Sequence, residues 1–177
     1  IKGYLAEDKR KRRPTVSHNF HYPMELFNSN VYAKGSLVLN MIQDHLGDDG
    51  FWIAIQRYTR TYKYENVETA DLKRVIEETT GQNMEWFFKQ WLYEPGYPEY
   101  EVSWSYNTRN STVKLNVKQT QNLEKTNLFK MPVRIQVDDQ VHLIWIEEQD
   151  TSYELPVNKR PKMVVFNAGH RIPCKVT

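Results

Sequence analysis

The hydrophobic period of the chain changes once, at "EPGYP", Glu94 to Pro98. That change constrains the fold more than any other feature. Two prolines flanking a glycine end helical structure, because proline has no backbone N–H and clashes with the preceding turn. Before this point apolar residues recur every three or four positions; after it they alternate. The chain is therefore read as α+β: a helical unit of about four helices over residues 1–96, then an antiparallel β-sandwich over 97–177.

In the helical half, Val31, Leu37, Val38, Met41, Ile42 and Leu46 include i, i+3 and i+4 repeats. They predict a first helix from an N-cap at Ser29 or Asn30 to Gly47, a natural C′ residue. "GDDG" turns the chain into a second helix carrying Phe51, Trp52, Ile55 and Tyr58. A third starts at Thr69 as N-cap, carries Leu72, Val75 and Ile76, and stops at Gly81. A fourth, capped by Asn83, buries Met84, Phe87, Phe88, Trp91 and Leu92 on one face.

Beyond Pro98 the expected strands carry Tyr100, Val102, Trp104 and Tyr106, then Val113, Leu115 and Val117. Val133, Ile135 and Val137 make another, Val141, Leu143 and Trp145 the next, and Met163 to Phe166 the last. Short strands at hairpin spacing fit a sandwich of antiparallel sheets.

Several function classes have no support. No apolar run approaches the roughly 18–20 residues needed to span a bilayer, so no membrane is expected. The N-terminus has no apolar h-region of a secretory signal, and its first residue is not Met, consistent with a start inside a longer chain. The net charge is +2, and the one basic run, Lys9 to Arg13, is read as a solvated loop before Pro14. No aromatic or glycine pattern accompanies it, so no nucleic-acid partner is expected. Cys174 is the single cysteine, which excludes an internal disulfide and leaves cytoplasmic and periplasmic compartments both open. Among the five histidines, His18 and His21 in "HNFH" stand close enough to share a metal on a helix. Pro14 and Pro23 flank them, and no third ligand follows at a zinc-site spacing.

The stretch "NVYAKGSLVL", residues 30–39, opens an apolar helix with Tyr32, Lys34 and Gly35. Taken alone, Tyr32 is either a packing residue or a hydroxyl placed for chemistry. Gly35 is expected to permit close helix approach, and Lys34 to be a solvated or paired charge.

A longer pattern resolves more. "VYAKGSLVLNMIQDHLGDDGFWIAIQRY" resembles the Y-x-K-G helix of the M1 family of zinc aminopeptidases, with its L-G turn and following F-x-x-x-(I/L)-x-x-Y helix. "ETADLKRVIEETTGQNMEWFFKQWLYEPGYP" resembles that family's next segment, from T-x-D-[LF] through F-F-x-Q-W to P-G-x-P. Order and spacing agree over some 75 residues, from about 23 to 98. "VKQTQNLEKTNLFKMPVRIQV" occupies the place of the small β-sandwich that follows the catalytic domain in the larger members.

The resemblance implies that residues 1–96 are the C-terminal helical part of a thermolysin-like catalytic domain. In that family H-E-x-x-H and a glutamate on the following helix hold zinc, and a G-x-M-E-N strand helps hold the substrate's amino terminus. None of these motifs occurs in this sequence, so zinc and its ligands are expected in the full-length parent, upstream of residue 1, with none bound by this chain. One residue carries over: Tyr32 matches the tyrosine whose hydroxyl stabilises the oxyanion at the scissile carbonyl. Many members have Y-E-K-G where this chain has Ala33; neighbouring helix positions face about 100° apart, so little loss is expected at Tyr32. The implied partners are peptide substrates and the missing N-terminal and zinc-binding domains. The competing reading is a non-catalytic interaction module that keeps the helical and sandwich scaffold.

Overall fold

The computed structural model describes all residues from Ile1 to Thr177. It divides into two compact units, Ile1–Gly96 and Tyr97–Thr177. The first is helical and the second is built of two sheets, an α+β architecture.

The helical unit opens on a helix the hydrophobic pattern does not announce, α1 (Lys2–Arg10). Its buried stripe is only Tyr4 and Asp8, four residues apart and so one above the other on one face. The basic run is thus not a plain solvated loop. Lys9 and Arg10 form the last turn of α1, where cations favour the helix dipole. Arg12 Nε donates to Asp8 Oδ2 at 2.8 Å, and Arg13 donates to the carbonyl of Glu25 at 2.6 Å. That carbonyl belongs to a 3-10 turn over Pro23–Leu26.

Helix α2 (Ala33–Thr61) joins the two expected helices across a kink at Gly47, with φ 75° and ψ 166°. A side chain would be strained at that φ, and glycine adopts it freely. Neither Ser29 nor Asn30 caps α2 through its side chain; the N–H of Lys34 donates to the Ser29 carbonyl at 2.8 Å. Helix α3 (Thr69–Thr80) is capped one residue before the expected position. Glu68 and Asp71 form a reciprocal capping box, and Gly81 closes the helix in the left-handed region at φ 69°. Met84 takes the N-cap position of α4 (Glu85–Phe88), while the expected capping residue, Asn83, accepts the Glu85 N–H on its Oδ1 at 3.0 Å; the helix then widens into a π turn over Lys89–Tyr93. Phe87, Phe88 and Trp91 are fully buried, as their spacing predicts.

In the second unit, strands β1 (Glu99–Asn107), β2 (Thr112–Gln119), β5 (Asp150–Pro156) and β7 (Lys175–Val176) form one sheet in the order β5-β2-β1-β7. Strands β3 (Met131–Val137), β4 (Gln140–Ile146) and β6 (Val164–Phe166) form the other, ordered β4-β3-β6. Pairing is antiparallel except for β1 with β7, which is parallel. Val113, Leu115 and Val117 of one sheet and Val133, Ile135 and Val137 of the other are buried, and the Tyr100 and Phe166 rings meet across the sheets at 5.0 Å. A two-residue turn at Asp138–Asp139 joins β3 to β4. The phase of β4 differs from expectation. Ile144 and Ile146 face inward, whereas Val141 and Leu143 are 61% and 63% exposed.

Candidate functional site

Tyr32 stands at the N-cap position of α2, immediately before its first helical residue. Its N–H donates to the Asn28 carbonyl, and its own carbonyl accepts from Ser36 N–H, so the backbone is fixed on both sides. The side chain is 60% exposed, with its ring 6.0 Å from that of Phe27. An exposed phenol on a rigid turn leaves the hydroxyl open to a ligand. A phenol hydroxyl is a hydrogen-bond donor.

Beside it runs an open groove of about 550 Å³ between α2 and α3, walled by Tyr32, Gly35, Leu39 and Tyr58 on one side and by Val67 and Leu72 on the other. Its lining is mostly apolar, with Glu68 and Thr69 at the head of α3 as the polar groups. Gly35 therefore does not serve close helix packing. A Cβ built there meets nothing within 4 Å.

Lys34 is not solvated. It is fully buried, facing α1, with its Nζ 5.6 Å from the centre of the Tyr4 ring and no hydrogen-bond partner. Burial pulls its pKa from 10.5 to about 8, with Asp8 pulling it up and Arg12 down. Asp8 is buried too. Its carboxyl is raised by desolvation and partly restored by Arg12. Glu7, on the same helix, accepts the Ser29 N–H at 3.2 Å, and its bonding to Ser29 holds its pKa low. Hydrophobic patterning does not reveal this polar cluster. Its one signal is the Tyr4–Asp8–Arg12 spacing of four, hidden among eight charged residues in the first thirteen.

His18 and His21 lie in irregular chain outside any helix or strand, both exposed. No group of three His, Cys, Asp or Glu converges anywhere in the chain. The residues present therefore do not fit the zinc that the family implies.

The fold is shared with a solved peptidase. Legionella pneumophila aminopeptidase A, in complex with aspartic acid, aligns with 93% of this chain at a TM-score of 0.80 and 17% identity, the match covering 20% of that chain. A model of the Peptidase family M1 domain matches residues 3–91. The chain belongs to the M1 peptidase family. It is 30% identical over 135 residues to "Probable aminopeptidase 2" of Sulfurisphaera tokodaii, and 30% over 129 residues to "Leucyl aminopeptidase" of Saccharolobus solfataricus. These alignments cover 74% and 72% of this chain but only 16% of each relative. Against "Aminopeptidase M1-D" of Oryza sativa subsp. japonica the identity is 37% over 97 residues, 53% of this chain and 11% of that one. The chain thus spans about a sixth of the length of such relatives.

Proposed function

We propose that this chain is the C-terminal piece of the catalytic domain of an M1 aminopeptidase, with its following sandwich, and that it supplies one donor to that enzyme's active site. The donor is Tyr32. The observation that carries the reading is its side chain, exposed on a backbone-pinned turn at the rim of an apolar groove. It lies inside the segment that matches the family model.

Peptide hydrolysis passes through a tetrahedral intermediate whose former carbonyl oxygen carries negative charge. A fixed phenol donates a hydrogen bond that strengthens as that charge develops, so it stabilises the transition state more than the substrate. The chain has no metal-ligand set, so the zinc and the base that activates water belong to the remainder of the parent. The parent removes N-terminal residues from peptides, and this chain alone is inactive.

The test is a chimera in which this chain replaces the corresponding segment of the Sulfurisphaera tokodaii relative. With Tyr32 the chimera should hydrolyse aminoacyl-arylamides. Tyr32→Phe should lower kcat by about 10²–10³ with little change in KM, the loss expected for one oxyanion donor. Equal rates for the two chimeras would sink the assignment. A folded but inert chimera would favour the interaction-module reading, and turnover by the isolated chain that is lost on Tyr32→Phe would overturn the fragment reading.

A further inference from the structure

We propose that Lys34 is a positioning residue: its buried ammonium, held toward α1 by the Tyr4 ring and the charge of Asp8, locks the first turn of α2 and thereby fixes where the Tyr32 hydroxyl points. The inference deepens the assignment of Tyr32 as a donor and rests on it.

The geometry makes α1 a strap across the head of α2. Three contacts converge on residues 29–34. Glu7 accepts the Ser29 N–H at 3.2 Å, the Ser29 carbonyl accepts the Lys34 N–H at 2.8 Å, and the Lys34 Nζ lies 5.6 Å from the Tyr4 ring centre. Tyr4 is itself anchored, its hydroxyl donating to the Gly96 carbonyl at 2.9 Å. Tyr32 sits within this braced turn, two residues before Lys34.

A fully buried ammonium without a hydrogen bond is a costly way to pack two helices. A leucine or methionine would fill the space more cheaply. What the charge adds is direction. Asp8 and the ring face attract the ammonium to one place, and both attractions vanish when it loses its proton. The charged groups facing it are Asp8 on α1 and Arg12 just beyond α1. Arg12 donates to Asp8 Oδ2, which leaves Asp8 Oδ1 without a hydrogen-bond partner and its charge acting on Lys34 through space.

The lock therefore opens on deprotonation of Lys34, near pH 8. In the full 177-residue chain labelled with ¹³C at tyrosine and lysine, the Tyr32 ring signals are assigned by their loss in Tyr32→Phe. They should shift with a midpoint near 8, together with the Lys34 Cε signal. Asp8→Asn removes the anion that favours the charged lysine, so both midpoints should fall together. In Lys34→Met the Tyr32 step should vanish, and in Lys34→Arg the ring should keep its low-pH position throughout. Tyr32 signals that stay flat while Lys34 titrates would overturn the proposal. So would an unchanged Tyr32 step in Lys34→Met, or a Lys34 that titrates at its ordinary value of 10.5. The wild-type and Asp8→Asn titrations stand even if Lys34→Met does not fold. None of these readouts requires turnover, so their failure is distinct from the failure of Tyr32→Phe to slow the chimera.

Discussion

At the scale of the residue, the motif Tyr32-Ala33-Lys34-Gly35 places its tyrosine, lysine and glycine in three different environments. The tyrosine is exposed, the lysine buried and the glycine open to the groove. Only the first is legible in the sequence, and only by resemblance, since one tyrosine at a helix head carries no signal of its own. Lysine is almost never fully buried without compensation, so sequence reasoning leaves Lys34 as a solvated or paired charge and does not find its burial. Its burial depends on a partner helix whose own pattern is masked by charge. Gly35 offers a direct check. It lies in the first turn of α2 at an ordinary helical φ, with space for a Cβ. Gly35→Ala should therefore stabilise the chain by roughly 0.5 kcal/mol, through lower unfolded-state entropy. The urea midpoint should rise at constant slope; a fall of similar size would reveal a contact that the geometry does not contain.

At the scale of the element, the α1–α2 contact ties stability to pH with a definite sign. Folded Lys34 loses its proton near 8, whereas the unfolded chain keeps it to about 10.5. Between those values the unfolded state binds more protons, so stability rises with pH through that window. The rise amounts to about 3.5 kcal/mol at most, since each pH unit of that window contributes roughly 1.4 kcal/mol. Below pH 8 the cost of burying the charge is fully present. Asp8, raised by burial, acts in its own acid window with the opposite slope: its contribution is lost as pH rises through its folded value. Other tyrosines and lysines titrate in both proteins, so the readout is the wild-type minus Lys34→Met difference in unfolding free energy from pH 7 to about 10. It should climb with pH. A flat difference would mean that the ammonium is hydrated in the folded state. The elements also mark where sequence patterning stops. β2 and β3 are legible because only one phase of each is apolar. In "QVHLIWI" both phases carry large apolar residues, and the choice between Val141/Leu143/Trp145 and Ile144/Ile146 falls to packing that only the sheet supplies. Neither the joining of two helices at Gly47 nor the π turn at Lys89–Tyr93 is legible, because hydrophobic spacing reports a face, not the backbone path that carries it.

At the scale of the whole molecule, each unit has its own buried core, around Ile42, Ile76, Phe87 and Trp91 in one and Val113, Leu115, Val133 and Ile135 in the other. The surface is less complete than the cores. Single exposed apolar residues are ordinary, but residues 20–32 leave Tyr22, Met24, Phe27 and Tyr32 each 60% or more exposed. The Phe27 and Tyr32 rings are neighbours, so part of this apolar surface is continuous at the mouth of the proposed site. Surfaces of that kind mark contacts with other protein. On the proposed function, the remainder of the parent's catalytic domain covers it. The purified chain should therefore self-associate as its concentration rises, and the double variant Met24→Lys, Phe27→Lys should remain monomeric in sedimentation velocity. Neither side chain is buried, so the variant should keep the wild-type circular dichroism and unfolding midpoint within about 0.5 kcal/mol. Association that persists undiminished in the variant would place the sticky surface elsewhere, with the outward row of β4 as the next face to charge; a monomeric wild type would show that residues 20–32 need no cover.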